Sequence, residues 1–450
     1  MLQNPGQTVR ASRFPCGIAA NPLSAKATFR LVDVMTAAKI YAIFLLTYGG
    51  MVAGRLPWLR VDRTTIALLG VIVLLGTQTV TFDELSARID PASLILLFAL
   101  MIISEQFVAA GFIDACIARI GVISGRGRRV LAGTILITGG LATFISNDLL
   151  VLVATPLLIE IARQRDLNPR PFLIAMIAAC NAGSAATIIG APQTIVIGQM
   201  GDLRLPTYLL ACGIPAVLAL GVIYGVVGFL WRGRLRSDGA IFSATAPAVF
   251  HPLDRSQTNK GLVAVVALSG LFCTSLPRDV MALSVMALVL MNRRIASRSL
   301  IGGVDWPVLI FVFSLFAVTG ALASTALPAM LVDGLQGVHL LPDGLLVLAP
   351  LTLLMSNTIG NLPFAILLMQ IWPDAPQGTL YGLALLSSFA GNVLFVGSLS
   401  NLLVVERATE CGVTLSNQDF YRAGIPITAI TMAFAMVWLA LTGFMPWLPS

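Results

Sequence analysis

The chain has 450 residues, of which 57% are hydrophobic and only 11% charged, and its mean hydropathy is +0.90. Soluble domains carry roughly 25% charged residues, so the composition excludes a soluble globular protein and implies an all-α polytopic membrane protein. The net charge of +7 does not point to nucleic acid, because the basic residues sit in short loops between apolar runs.

Residues 1–34 are polar, contain Arg10, Arg13, Lys26 and Arg30, and have no continuous apolar core. They are expected to be a disordered tail, or to precede a true start at Met35. Apolar runs follow at 36–54, 64–80, 91–112, 131–145 with 147–162, 171–199 and 207–231. These runs, of about 20 residues, are each read as long enough to cross a bilayer as a helix. A polar, basic linker covers 232–260. A second set then runs through 261–275, 280–292, 306–325, 345–355 with 357–372, 379–405 and 423–446.

The two sets read as copies, 35–231 and 261–450. Asp62-Arg63 lies 215 positions before Pro277-Arg278, and Asp90 lies 215 before Asp305. Ser146-Asn147 precedes Ser356-Asn357 by 210, and Gly213-Ile214-Pro215 precedes Gly424-Ile425-Pro426 by 211. Order is kept while the spacing drifts only slightly, as in an internal repeat. Each half holds one element too short for two spans and too long for one, 131–162 and 345–372. These are read as re-entrant hairpins with a Ser-Asn pair at the tip. With that assignment, loops 55–63, 113–130, 160–171, 232–260, 292–304 and 406–422 share one side and hold twenty Lys/Arg, against three on the other. The basic side marks the cytoplasm. The halves are then inverted, each with five spans and one hairpin, a plan used by many secondary carriers.

Polar, broken backbone at membrane depth is tolerated where it lines a cavity. Four stretches meet that description. The hairpin tips are Ser146-Asn147-Asp148 and Ser356-Asn357-Thr358. Two later helices are expected to break, at Asn181-Ala182-Gly183-Ser184 with Gly190-Ala191-Pro192-Gln193-Thr194, and at Gly391-Asn392 with Gly397-Ser398-Leu399-Ser400-Asn401. Half-helix N-termini offer positive dipole ends to an anion, and unwound carbonyls with Asn, Ser and Thr oxygens suit sodium. Small polar residues also pack helices against one another, but that explains a single residue better than four segments in a two-fold pattern.

These tips and breaks, with the paired repeats, resemble the ion transporter superfamily over about residues 40–446. That group contains divalent anion–sodium symporters, citrate transporter-like proteins, arsenical pump membrane subunits and some sodium–proton antiporters. Gly397, Ser398, Asn401 and Leu402 match the Gly-Ser-x-x-Asn-Leu break of bacterial inner-membrane anion permeases. The resemblance implies hairpins meeting near the midplane, a homodimer and elevator-type alternating access. It also implies sodium held at Ser146, Asn147, Ser356 and Asn357 with the break backbones, and a substrate carboxylate at the tip Asn and Thr. The chain departs from the dicarboxylate pattern at Asp148, at Pro192-Gln193-Thr194 and at Leu399-Ser400-Asn401. A carboxylate at the tip repels a dianion unless it is protonated or paired with a cation, which raises proton or cation coupling.

Asp148 is an intramembrane acid, a candidate for function by position, and equally a helix N-terminal residue. Glu105, in the run 91–112, is a candidate proton relay or an interfacial acid. Cys16, Cys116, Cys180, Cys212, Cys273 and Cys411 are scattered without metal spacing, and His251 and His339 are the only histidines. No P-loop or HExxH sequence occurs, so neither an enzyme nor a cofactor is expected, and ATP drive requires a separate subunit. The reading is a secondary active transporter of a small organic or inorganic anion in the bacterial inner membrane, coupled to sodium or protons. The alternatives are an arsenite-like oxyanion exporter, a cation–proton antiporter and an ion channel.

Overall fold

The computed structural model describes residues 22–53, 61–125, 127–236, 250–274 and 276–449. It is all-helical among those residues, apart from one isolated bridge between Leu167 and Arg236. The first ten helices are α1 (Pro22–Ala53), α2 (Arg63–Gly76), α3 (Phe82–Ser86), α4 (Pro91–Ala109), α5 (Phe112–Val122), α6 (Gly127–Leu141), α7 (Asn147–Gln164), α8 (Pro169–Ala185), α9 (Pro192–Met200) and α10 (Leu205–Leu230). The next ten are α11 (Arg255–Leu271), α12 (Arg278–Leu290), α13 (Ser297–Gly302), α14 (Trp306–Ala323), α15 (Leu327–Gly337), α16 (Leu345–Thr358), α17 (Asn361–Ile371), α18 (Gln377–Ala390), α19 (Leu399–Glu410) and α20 (Asn417–Leu441).

Some helix starts recur at corresponding positions in the two sets. Asp90 and Asp305 illustrate why: each caps a helix by accepting the backbone N–H three residues later, at 3.2 Å, and each is followed within two residues by proline. Such a cap satisfies an orphan amide, and proline loses nothing in the first turn. Packing recurs in the same way. α2 packs on α14 and α12 on α4; α7 packs on α19 and α17 on α9; α6 packs on α8 and α16 on α18. The helices fall into two groups. α1–α4 pack with α11–α14, and α6–α10 with α16–α20, and the two groups meet chiefly where α14 packs on α17 and α4 on α9. α8 lies at the centre of the second group and is buried along nearly its whole length.

Among the described residues, five helices are long and apolar enough to cross a membrane, at Met35–Ala53, Pro91–Ala109, Leu205–Leu230, Trp306–Ala323 and Asn417–Leu441. α2 and α12, read as full spans from sequence, have 14 and 13 residues. α1 begins at Pro22, ahead of Met35, so part of the polar segment 1–34 is helical; residues 1–21 lie outside the described residues. The linker ends earlier than 260, because Asp254 caps α11 through Ser256 and Gln257 at 2.9 and 3.2 Å. Arg63, read as part of a cytoplasmic loop, is instead the first residue of α2 and is buried.

Candidate functional site

The first hairpin turns at 142–146, between α6 and α7. The Ser146 N–H donates to Ser104 Oγ on α4 at 3.0 Å, which seats the tip against that helix. Asn147 and Asp148 then open α7, both buried. Asn147 Nδ2 donates to Asn181 Oδ1 at 3.0 Å, while its Oδ1 has no partner. Asp148 accepts a short hydrogen bond from the Ser400 hydroxyl across the two halves.

The second tip is not where the sequence pattern put it. α16 continues through Ser356, Asn357 and Thr358, and the chain turns at Ile359-Gly360. Gly360 has φ 104 and ψ 159, a region that only glycine adopts without strain. The structural counterpart of Asn147 is therefore Asn361, the first residue of α17, and that of Asp148 is Leu362. Thr358 Oγ1 bonds back to Leu354 O at 3.0 Å and Met355 O at 3.1 Å within its own helix. Asn357 braces the second break: its Nδ2 donates to Ala390 O at 2.9 Å and its Oδ1 accepts from Leu394 N at 3.2 Å. Ser356 is fully buried with an unpartnered hydroxyl.

Both expected breaks are present. α8 stops at Ala185 and α9 starts at Pro192. Gly190 packs so closely on Ser184 that a Cβ would lie 2.5 Å from its carbonyl oxygen. Thr194 closes the turn on itself, Oγ1 accepting from Ala191 N at 3.1 Å and donating to Ala191 O at 2.9 Å. Gln193 Nε2 reaches Ser388 Oγ at 3.4 Å. In the second half α18 stops at Ala390, a short 3-10 turn spans Phe395–Gly397, and α19 starts at Leu399 after Ser398. A Cβ on Gly397 would stand 2.7 Å from Asn357 Oδ1.

A line of side-chain amides stitches these pieces together. Asn181 takes the Asn147 amide and donates to Asn392 Oδ1 at 2.8 Å and Asn401 Oδ1 at 3.3 Å. Asn401 Nδ2 in turn donates to Gly391 O at 2.7 Å and Leu394 O at 3.1 Å. Buried amides that satisfy one another in this way fix a unique arrangement.

Tips and breaks converge on one cavity of about 40 Å³. It is lined by Asn147 and Asp148, by Gly360 and Asn361, by Ala191, Pro192 and Gln193, and by Gly397, Ser398 and Ser400. The N-termini of α7, α9, α17 and α19 thus all open onto it. Arg63 of α2 and Phe311 of α14 close it from the other helix group. Of the residues singled out in the sequence, Ser146 and Gly190 line a second cavity of about 10 Å³ together with Ser104, Ala191 and Pro192, and Thr194, Ser356, Asn357, Thr358 and Asn401 do not line the first. Glu105 is separate, at the end of α4, where its carboxyl packs against the Gly303 backbone. The sequence reading missed Arg63 and Asn361. The 215-residue spacing of the capped helices, carried to Asn147, falls within one residue of Asn361 and is the signal that finds it.

The citrate transporter family model matches residues 48–386. The chain belongs to this family. As a family member it is a membrane transporter of the ion transporter superfamily and not an enzyme. An uncharacterized transporter of Synechocystis sp. is 23% identical over 418 residues, covering 85% of this chain and 93% of its own. The silicon efflux transporter LSI3 of Oryza sativa is 25% identical over 452 residues, covering 84% and 93%. Among solved structures, the YdaH transporter of Alcanivorax borkumensis superposes with a TM-score of 0.55 at 15% identity, over 92% of this chain and 100% of that one. That likeness supports the fold of this citrate transporter family member as one shared by transporters.

Proposed function

We propose that this citrate transporter family member is a secondary active transporter of a small anion, coupled to sodium or protons. The observation that carries the reading is the convergence of four helix N-termini on one cavity between the two halves. Each such terminus is equivalent to roughly half a positive charge, and its free N–H groups point at the ligand. Asn147 Oδ1 and Asn361 Oδ1 are buried acceptors without partners, and both residues line the cavity. Oxygens of this kind suit a sodium ion or a substrate hydroxyl.

On this reading the halves are inverted in the bacterial inner membrane, the hairpins open to opposite faces, and the protein works as a homodimer. The group containing the hairpins slides against α1–α4 and α11–α14 in an elevator motion. The division of packing into those two groups favours such a motion over a fixed pore. Counterflow in proteoliposomes tests the reading, with radiolabelled citrate, phosphate and arsenite, with and without sodium or pH gradients. Saturable exchange is expected; a conductance far above carrier turnover overturns the reading in favour of a channel.

Cavity size favours a second reading of the substrate. A volume of about 40 Å³ holds only about three waters at ~10–15 Å³ each. An oxyanion or small hydroxy acid fits with less rearrangement than a tricarboxylate, and the same panel distinguishes them; the rice relative is named a silicon efflux transporter, and export is the alternative direction.

A further inference from the structure

Arg63 opens α2 and Arg278 opens α12, 215 positions later, but they now do different things. The Arg278 side chain is 10% exposed and bound to the last turn of α9 and the residues just after it: Nη1 donates to Gly198 O at 2.7 Å and Nη2 to Asp202 Oδ1 at 3.0 Å. Arg63 instead lines the cavity, with Nη1 3.6 Å from where a Cβ on Gly360 would stand. We propose that the two arginines are alternating counter-charges of the anion site, Arg63 holding the substrate in the state described here and Arg278 replacing it in the opposite state. The inference rests on the anion-transport reading above.

The height of the site along the first helix group supports it. The first tip bonds to Ser104, five residues from the end of α4, and the cavity touches Phe311, five residues after Trp306 opens α14. Glu105 packs against Gly303, so the end of α4 and the start of α14 lie together. The tips therefore sit towards one end of this group. The counterparts of Ser104, Phe311 and Arg63 at the same 215 spacing are Thr319, Leu96 and Arg278, and they lie at the other end, where Arg88 packs against Gly320. If the two halves exchange conformations, the second tip comes to rest beside Thr319 and the first beside Leu96 and Arg278.

The length of the shift agrees with this. From Phe311 to Thr319 is eight residues, about 12 Å of helix at 1.5 Å per residue. Sliding α9 by about 12 Å carries the six helical residues ahead of Gly198 past Arg278 and brings the N-terminal end of α9, next to Gly190, opposite that side chain. Gly190 belongs to the first break, whose next residues Ala191 and Pro192 line the cavity. The grip that Arg278 now has on the far turn of α9 thus becomes a grip on the site, while Arg63 is left behind by the second tip.

The test uses the full-length protein in proteoliposomes, with uptake of radiolabelled citrate, phosphate and arsenite measured separately from each face. Arg63→Gln is expected to raise KM roughly tenfold or more, the loss of one charged hydrogen bond, from the face at which α2 begins, leaving the opposite face unchanged. Arg278→Gln is expected to do the reverse, and Arg63→Lys to restore part of the loss. Equal effects on both faces, or an Arg278→Gln protein with wild-type KM on both, overturn the inference while leaving anion transport standing. A wild-type protein that takes up none of the three anions overturns the transport reading and this inference with it. A second measurement needs no substrate: Leu96→Cys with Ser146→Cys, in a cysteine-free background, should be joined by mercuric ion in membranes. Failure to cross-link overturns the exchange of positions.

Discussion

Gly360→Ala isolates the backbone of the second tip. Its φ of 104 and ψ of 159 fall in a region open essentially to glycine alone, and an L-residue held there costs about 1–3 kcal/mol. A Cβ would meet Pro363 Cδ at 3.5 Å and Arg63 Nη1 at 3.6 Å, ordinary contact distances, so sterics add little. The strain of about 2 kcal/mol therefore has to appear either as lost stability or as a tip that leaves this conformation, about 30-fold in population. Gly140→Ala is the control, because it lies in α6 with nothing within 4 Å of its Cβ position. The assay pairs counterflow rate with thermal unfolding of purified protein in detergent. Gly360→Ala is expected to lose most of its transport or to unfold at lower temperature, with Gly140→Ala like wild type. A Gly360→Ala protein matching wild type in both measurements refutes the argument that this turn defines the site.

Further variants separate wall from lining. Asn361→Ala should abolish counterflow while Thr358→Ala, whose hydroxyl bonds within its own helix, leaves it near the wild-type rate; the reverse result places the tip where the Ser-Asn-Thr pattern suggested. Asn181→Leu should lower the unfolding temperature markedly, since it strands the amides of Asn147, Asn392 and Asn401 at about 1–3 kcal/mol per buried unpaired group; an unchanged melting curve denies the network a structural role. Asp148→Asn should change the sodium or pH dependence of transport, and an unaltered dependence leaves the carboxylate as a partner for Ser400 and the α7 terminus only. Arg234→Cys should react with an impermeant thiol reagent only from the cytoplasm and Leu340→Cys only from outside; labelling of both from one face contradicts the inverted arrangement.

Much of the fold was legible because membrane helices announce themselves by length and apolarity, and because capping is local chemistry. Asp90 and Asp305 could be paired from sequence, and both cap helices. What failed depended on three-dimensional context. Ser-Asn-Thr looks like a turn in one dimension, yet its hydroxyls are satisfied or buried along α16, and the turn falls at the next glycine, where a positive φ is required. Arg63 looked like one more basic loop residue contributing to the charge count. Nothing local distinguishes an arginine facing solvent from one facing a cavity, because the wall that makes the difference comes from Gly360, almost 300 residues later. The amide line through Asn181 was equally hidden. Its members each stand out in the sequence as polar residues within apolar runs, but joining them requires knowing that α7, α8, α18 and α19 meet.

The same geometry answers the objection that Asp148 raises against an anion. Taken alone, a buried carboxylate at the tip would repel a negative substrate and would itself be costly to desolvate. It is not alone. Ser400 donates to it, Asp148 sits in the first turn of α7 where the helix dipole favours negative charge, and Arg63 lines the same cavity. Counting the guanidinium against the carboxylate leaves the four helix termini, roughly half a charge each, as the net field of the site. That field is positive by about two charges, which suits one small anion. It also suggests why Asp148 can be kept where Leu362 stands in the other half. One carboxylate is tolerated because the termini and an arginine outnumber it, and a single carboxylate is what coupling to one cation needs. A second acid at position 362 would cancel the field, so Leu362→Asp should lose anion uptake even if the protein folds. Retained anion uptake in that variant would mean that the helix termini are not what attracts the substrate.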